Sequence, residues 1–194
     1  MKKLTSKDLI TIGIFSVVFI AFIFVIACVQ VVPLLCVAMP PLMALFTGPI
    51  YLLFVAKTQK PFCISILGLI VSVVVGFFVF GSVYIFLFNF VFFIIAELIA
   101  KIKDYKSFNV NLISYIICSL WVFGEISVYW VAKDWIMTRS IDMGIEAEFV
   151  NDIFKLATPL SLVILVVITF VLALLSGLFA KQMFKKHFKR SGII

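Results

Sequence analysis

Long, continuous apolar runs dominate this chain and constrain its fold more than any other feature. A helix of about 20 apolar residues crosses the roughly 30 Å of hydrocarbon in a bilayer. Six runs come close to this length, and little chain is left between them. The runs are continuously apolar rather than alternating, which favours helices over a barrel. The sequence therefore predicts an all-α integral membrane protein with a single domain, 1–194, and six transmembrane helices at about 9–32, 38–56, 61–80, 83–100, 110–132 and 156–180.

Two of these spans carry features that need separate predictions. Gly48-Pro49 lies inside span 2, and we expect a kink or a break there because Pro49 cannot donate to the helix ladder. Span 1 has a basic start, and 25–28, ending at Cys28, resembles a lipoprotein cleavage box. Its apolar run of about 24 residues is longer than the 7–15 residues of a signal-peptide core. We expect span 1 to be retained, with processing at Cys28 as the alternative.

The distribution of basic residues predicts the orientation of the spans. Most of the 16 lysines and arginines lie at the two termini and in the loops after spans 2 and 4. The connection 133–155 carries three basic residues against five acidic ones. Because basic loops stay in the cytoplasm, both termini are predicted to be cytoplasmic and the protein to lie in the cell membrane. The net charge of +7 is then explained by the topology and by contact with the lipid bilayer, and not by binding of nucleic acid. His187, in the basic end, is expected to be solvated or to contact lipid headgroups.

The connection 133–155 is the one long segment outside the spans, and it is predicted to be partly helical. Apolar residues recur in it every four positions, which is typical of an amphipathic helix. Gly144 weakens such a helix, so two short pieces are an alternative. The segment either lies on the outer membrane surface or forms a lid over an outward-facing pocket. The stripe consists of Met137, Ile141, Ile145, Phe149 and Ile153.

The motifs of common membrane enzymes are missing from the sequence. It contains no phosphate-binding G-x-x-x-x-G-K loop, and its four cysteines form no C-x-x-C pair. A single histidine argues against a histidine-based metal or haem site. No Ser-His-Asp or Cys-His set is present. We therefore expect no catalytic residue, no metal and no cofactor, and a protein that is not an enzyme.

Two glutamates lie inside predicted spans, where ionisable groups are costly and often functional. Glu97 is near the inner end of span 4, and Lys101 has the spacing for an ion pair on the same helix. Contact with a neighbouring helix or a partner protein is the alternative. Glu125 lies in the outer half of span 5, beside Gly124, which leaves space for a close approach. Glu125 either contacts a substrate or makes a hydrogen bond between helices.

Other polar and aromatic residues complete the predicted substrate-binding set. Trp121, Glu125 and Tyr129 are four residues apart, which would place them on one helical face. Asn89 is near the middle of span 4, where an amide often joins helices. Some outer aromatic residues are expected to line a pocket and to stack on a flat ligand. The predicted substrate-binding residues are Glu125, Trp121, Tyr129, Asn89, Tyr84 and Gln30.

Several short motifs give the chain a resemblance to a known family. They are the basic start 1–13, Ala96-Glu-Leu-Ile-Ala-Lys101, Tyr105-Lys-Ser-Phe-Asn109, Ser119-Leu-Trp121 and the basic end 185–192. Together they resemble the Trep_Strep integral membrane proteins, which are regarded as substrate-binding S components of energy-coupling factor (ECF) transporters. The resemblance implies capture of a vitamin-like or other small micronutrient from outside. It also implies two kinds of partner, a transmembrane coupling subunit and two ATPase subunits.

The resemblance further implies a docking face on span 1, and two other function classes remain as alternatives. S components often dock through small residues spaced by four, and Gly13, Val17 and Ala21 have that spacing here, with Val17 departing from the pattern. The same residues could equally pack within the chain. An autonomous secondary transporter would show internal repeats and a midplane ion site. A small membrane enzyme would show clustered catalytic residues.

Overall fold

The computed structural model describes residues 4–185, and all of its regular structure is helical. The predictions that concern Lys2, Lys3, His187 and the rest of the basic end lie outside the described residues. The helices are α1 (Ser6–Ala27), α2 (Pro33–Val37), α3 (Met39–Thr58), α4 (Cys63–Val73), α5 (Val83–Lys101), α6 (Phe108–Cys118), α7 (Phe123–Ile126), α8 (Val128–Val131), α9 (Lys133–Asp142), α10 (Ala147–Leu156) and α11 (Pro159–Met183).

The lengths and apolar character of these helices fit a membrane protein. Five of the described helical stretches are long and apolar enough to cross a bilayer, and they correspond to spans 1, 2, 4, 5 and 6. The predicted span 3 is the shorter apolar helix Cys63–Val79. This helix combines the 11 residues of α4 with a π-helical turn of six residues, Val74–Val79. The predicted all-α membrane fold is confirmed.

The fifth predicted span crosses as one helical stretch, Phe108–Ile126, but it is not one regular α-helix. After α6 the chain forms a 3₁₀ turn, Ser119–Val122, and then the two four-residue helices α7 and α8. Two serine hydroxyls bond to the backbone next to these breaks: Ser119 Oγ donates to Ile116 O at 2.7 Å, and Ser127 Oγ donates to Gly124 O at 3.3 Å. Such local bonds compete with the regular ladder and bend helices.

Span 2, in contrast, continues through its proline. Of the predicted kink or break, the break is wrong, because α3 runs through Pro49 without interruption, and the kink stays a prediction. Proline withholds the donor that the carbonyl of Leu45, four residues earlier, would otherwise receive. Ser176 of α11 supplies a donor instead, since its Oγ lies 2.6 Å from Leu45 O. Gly48 makes this approach possible: a methyl group at its α-carbon would lie 2.3 Å from Ser176 Oγ.

The helix packing separates two ends of the molecule. α3 packs against α11, α5 lies against both α4 and α6, and α1 covers α3 and α4. The lysine-rich loops meet at one end, where Lys60 Nζ pairs with Asp8 at 2.5 Å. The acidic segment of α9 and α10 packs at the other end, against α2 and α8. We call these the lysine-rich end and the acidic end.

Candidate functional site

Glu125 lies buried near the acidic end, with an unsatisfied oxygen. It sits on α7 and is 6% exposed. Its Oε1 has no hydrogen-bond partner among the described residues. A buried polar atom without a partner costs about 1–3 kcal/mol. This carboxyl is therefore ready to accept a hydrogen bond that the described part of the chain does not supply.

Three further polar side chains lie in the same region and come from different elements: Cys36 and Tyr129 are near Glu125, and Ser140 is near Tyr129. The Tyr129 hydroxyl interacts with the thiol of Cys36 on α2 and with the hydroxyl of Ser140 on α9. The Glu125 carboxyl is close enough to act electrostatically on Tyr129 and on Cys36. Burial raises the pKa of Cys36 to about 11, so its sulfur stays protonated at neutral pH. We call these four residues the Glu125 cluster.

Sequence reasoning found two members of this cluster and missed the other two. Cys36 and Ser140 are remote from Glu125 in the chain and belong to no motif. Their positions depend on how α2 and α9 fold back over the spans. The single local signal was Pro33, which is favoured in the first turn of a helix and does begin the short helix α2.

Helices α9 and α10 cover the Glu125 cluster, and we call residues 133–156 the cover. Its two pieces are separated at Gly144, whose φ of +82° is readily adopted by glycine, so the two-piece alternative is confirmed. The predicted continuous stripe is wrong. Ile153 is buried, but Ile141 and Ile145 are exposed because the break at Gly144 changes the helix direction. The apolar residues that anchor the cover are Ile136, Val150 and Ile153.

One polar contact ties the cover to a span, and a second joins the residues that flank the cover. Arg139 of α9 donates from Nε to Phe80 O at 3.2 Å, at the end of the third predicted span. A cation at the carboxyl end of a helix is favourable because carbonyls there lack helical partners. Trp130, just before the cover, donates from Nε1 to Thr158 O at 2.9 Å, at the start of α11. Arg139 thus fastens the cover to the third span, while the Trp130 bond joins the chain segments on either side of the cover.

Trp121 and Asn89 belong to the core between α1, α5 and the 3₁₀ turn. The Trp121 ring lies 6.3 Å from the ring of Phe19 and 5.9 Å from that of Phe93. The Asn89 amide lies next to Trp121 O and Ile85 O, and in the amide orientation that satisfies its surroundings its nitrogen donates to them at 2.7 Å and 3.1 Å. Trp121 therefore faces α1 and α5, whereas Tyr129 faces α2 and the cover. The ring contacts of Trp121 differ from those of Tyr129, and the helical face that these residues are expected to share with Glu125 stays a prediction.

The close approach predicted at Gly124 is present. A methyl group at Gly124 would lie 2.2 Å from the Asn89 amide. Helix α7 therefore lies directly against α5, and the amide of Asn89 joins α5 to the preceding 3₁₀ turn. Asn89 thus bonds to backbone carbonyls of two different helical elements, which is the interhelical role predicted for this residue.

Tyr84 and Gln30 occupy more open positions. Tyr84 is 45% exposed, and its hydroxyl lies 3.0 Å from Ser127 Oγ. Its ring packs 5.9 Å from that of Phe88 on the outside of α5. Gln30 is half-buried in the turn between α1 and α2. Of the six predicted substrate-binding residues, Glu125 and Tyr129 are the two that the structure brings together in the Glu125 cluster.

Glu97, at the lysine-rich end, has a different environment from the one expected. Its Oε2 accepts from Ile64 N at 2.9 Å and Ser65 N at 3.1 Å, and its Oε1 accepts from Phe62 N at 3.0 Å. The Tyr105 hydroxyl donates to the same Oε1. The predicted ion pair with Lys101 is wrong, because the carboxylate instead satisfies free backbone donors at the start of α4. Burial and this carboxylate raise the pKa of Tyr105.

The predicted docking residues lie on the outer surface of α1. Val17 is 68% exposed, and Gly13 and Ala21 are exposed on the same side. A methyl group at Gly13 would meet nothing within 4 Å. Packing within the described chain, the alternative for this set, is therefore wrong. The stripe is a smooth face turned toward the membrane.

The apolar helices and their internally satisfied backbone define an all-α, multi-pass integral membrane protein. Residues 6–190 match the family described as hypothetical bacterial integral membrane protein (Trep_Strep), and the chain belongs to this family. No curated protein and no solved structure matches the chain.

Proposed function

We propose that this protein is the membrane-embedded substrate-binding component of an ECF-type ABC importer. It would capture a small micronutrient outside the cell and deliver it with a coupling subunit and two ATPase subunits. The observation that carries the proposal is the buried, unpartnered carboxyl oxygen of Glu125 beneath the cover. A purely structural carboxyl is normally satisfied by the protein itself, so the missing partner supports a binding role for Glu125.

The Glu125 cluster suggests the chemistry of the substrate. A carboxyl oxygen that lacks a donor favours a substrate with an N–H, an O–H or a positive charge. The ring of Tyr129 lies 6.2 Å from that of Phe154 on the cover, close to this carboxyl. Aromatic rings in such a place suit a flat ring in the ligand. We therefore propose a small, partly aromatic micronutrient with a hydrogen-bond donor.

Entry to the site would require movement of the cover. Glu125 is buried, so a ligand reaches it when α9 and α10 separate from α2 and α8. The cover rests on a few apolar anchors and on the bonds of Arg139, which makes a local opening less costly than unfolding of a span. Closure over the ligand would shield the new hydrogen bond from water and slow release.

The exposed face of α1 would dock on the coupling subunit. Gly13 and Ala21 permit close approach of another helix, which stabilises helix pairs in membranes through packing. The described chain leaves this face uncovered. The lysine-rich end would face the cytoplasm, where the ATPase subunits act.

Affinity purification from the native membrane is the direct test of this assignment. We expect a coupling subunit and two ATPases to co-purify, and native mass spectrometry to find a bound small molecule. Ala21→Phe should abolish co-purification, whereas the control Val171→Phe, at an equally lipid-exposed position on α11, should not. Equal effects of the two variants, or no ATPase partner, would contradict the proposal.

Transport by the isolated chain separates this proposal from an autonomous transporter. Vesicles that contain this chain alone should show neither ATP hydrolysis nor sustained uphill uptake. Uptake driven by an ion gradient in such vesicles would favour the secondary transporter instead.

A further inference from the structure

A second candidate site lies at the lysine-rich end, away from the Glu125 cluster. A cavity of about 600 Å³ opens there between α3, α6 and α11. Among the described residues that line it, three are lysines and none is acidic. The polar lining residues are Gln59, Tyr105, Lys106, Asn111, Lys181 and Lys185.

One polar atom in this lining lacks a partner. Asn111 is 6% exposed, and its Nδ2 donates to Tyr105 O at 2.8 Å. Its Oδ1 has no hydrogen-bond partner in the described part of the chain. A buried amide oxygen in this condition favours a ligand that brings a donor to it. The cavity thus offers cationic groups, and Asn111 in its wall carries one buried acceptor without a partner.

The rest of the lining is apolar. Leu52 and Ala56 on α3, together with Phe108 and Phe184, form the remaining wall. Lys181 Nζ lies 5.0 Å from the centre of the Phe108 ring, which positions the ammonium group at the boundary between the polar and apolar parts. A ligand that fills this cavity therefore has an anionic head and an apolar body.

The local fold fixes the position of the cationic groups. Asp104 and Tyr105 have positive φ values of 49° and 62°, which an ordinary loop would avoid. The hydroxyl of Tyr105 is held by Glu97, and its carbonyl is held by Asn111. These two bonds maintain the turn that brings Lys106 to the cavity, so the site is built into the loop between α5 and α6.

We propose that this cavity binds the headgroup of an acidic phospholipid that carries a hydroxyl, such as phosphatidylglycerol. The three lysines would neutralise the phosphodiester, and Asn111 Oδ1 would accept from a headgroup hydroxyl. The first acyl carbons would lie against Leu52 and Phe108. Basic pockets between helices near the cytoplasmic leaflet are suited to anionic lipid headgroups. The proposal is independent of the function proposed for the Glu125 cluster.

Native mass spectrometry of the purified full chain, titrated with defined lipids in detergent, tests the proposal. We expect phosphatidylglycerol to bind at least tenfold more tightly than phosphatidylcholine. Lys106→Gln/Lys181→Gln/Lys185→Gln should reduce phosphatidylglycerol binding at least tenfold. The control Lys7→Gln/Lys101→Gln/Lys103→Gln removes three exposed lysines and should change it less than threefold. Equal binding of the two lipids, or equal losses in the two triple variants, would overturn the proposal.

Two further experiments test whether the phosphate belongs to a lipid or to a soluble ester, and whether the amide of Asn111 contacts the headgroup. Soluble glycerol phosphate, which lacks acyl chains, should bind at least a hundredfold more weakly than the lipid. Equal affinity would mean that the site takes a free phosphate ester, which overturns the lipid assignment.

Asn111→Asp keeps the shape of the side chain and replaces the amide by a carboxylate that repels phosphate. This variant should bind phosphatidylglycerol at least tenfold more weakly than the wild type. Wild-type affinity would overturn the placement of the headgroup at Asn111.

Discussion

Two buried glutamates, one near each end of the molecule, have opposite environments. Both Glu97 and Glu125 are 6% exposed. Glu97 accepts hydrogen bonds from three backbone amides and one phenol, whereas Glu125 Oε1 has no partner in the described structure. The comparison shows that burial of a charge in a span does not by itself indicate function. The state of its hydrogen bonds separates Glu97, which satisfies backbone donors of the fold, from Glu125, for which we propose a ligand.

The largest effect is expected from the replacement of Glu97, the glutamate whose oxygens both accept hydrogen bonds. Glu97→Leu removes the acceptor of four donors, and we expect a loss of about 3–5 kcal/mol in the free energy of unfolding, since each stranded buried donor costs about 1–3 kcal/mol. Denaturation in detergent micelles measures this loss. Glu125→Leu is the matched control. It removes a carboxyl that has an unsatisfied oxygen, so the unfolding free energy should change by less than about 1.5 kcal/mol. Similar losses for the two variants would abolish the distinction.

The second prediction concerns substrate affinity, for which the replacement of Glu125 should have a larger effect than the replacement of Glu97. Glu125→Gln should weaken substrate binding by about 1–3 kcal/mol, or roughly 5-fold to 150-fold, if the carboxyl meets a polar group of the ligand. Glu97→Gln should change the affinity by less than about tenfold, or 1.4 kcal/mol. Calorimetric titration of the folded variants with the co-purified ligand measures both. Unchanged affinity for a folded Glu125→Gln protein would make Glu125 a structural residue as well.

A smaller effect is expected from loosening the cover above Glu125. Ile153→Ala removes a fully buried anchor of α10, so opening should become easier and ligand dissociation about tenfold faster. The association rate should change less than threefold. Ile141→Ala lies on the same segment but at a position that is 51% exposed, and its rates should match the wild type. Stopped-flow release of the ligand distinguishes these outcomes, and equal rates in both variants would argue against a lid.

The smallest effect is expected at Tyr84. Tyr84→Phe removes an exposed hydroxyl that contacts Ser127, and we expect changes of less than about 0.5 kcal/mol in stability and less than twofold in affinity. The same titration and denaturation experiments apply. A tenfold loss of affinity would extend the site from the Glu125 cluster to the outside of α5.

The spans were predictable from the sequence because their signal is local. Span 4 was predicted at 83–100 and is observed as Val83–Lys101. A run of apolar residues determines such a helix, whatever its neighbours are. The short helix α2 and the break in span 5 were not predicted. Hydroxyl bonds of Ser119 and Ser127 to the backbone accompany that break, and an apolar run with a few serines contains no clear signal of it.

The sites were less predictable because their contacts join residues that are distant in the chain. Glu97 was paired with its helical neighbour Lys101 in the prediction, yet its donors come from the start of α4 and from Tyr105. Glu125 and Tyr129 were chosen for their residue types and depth, whereas Cys36 and Ser140 approach them through tertiary packing. Spacing within one helix can rank candidate residues, but it cannot identify partners that the fold brings from elsewhere.

The bond from Ser176 to the carbonyl of Leu45 has a consequence for how the molecule can move. It fastens α3 to α11 near Pro49 of α3, where an α-helix that contains a proline would otherwise bend most easily. These two helices should therefore behave as one rigid body, and the backbone amides around Leu45 should exchange with deuterium among the slowest in the protein. The amides of α9 and α10 should exchange faster. If the cover opens as the proposed function requires, the α3–α11 pair would stay still and serve as the frame against which that motion occurs.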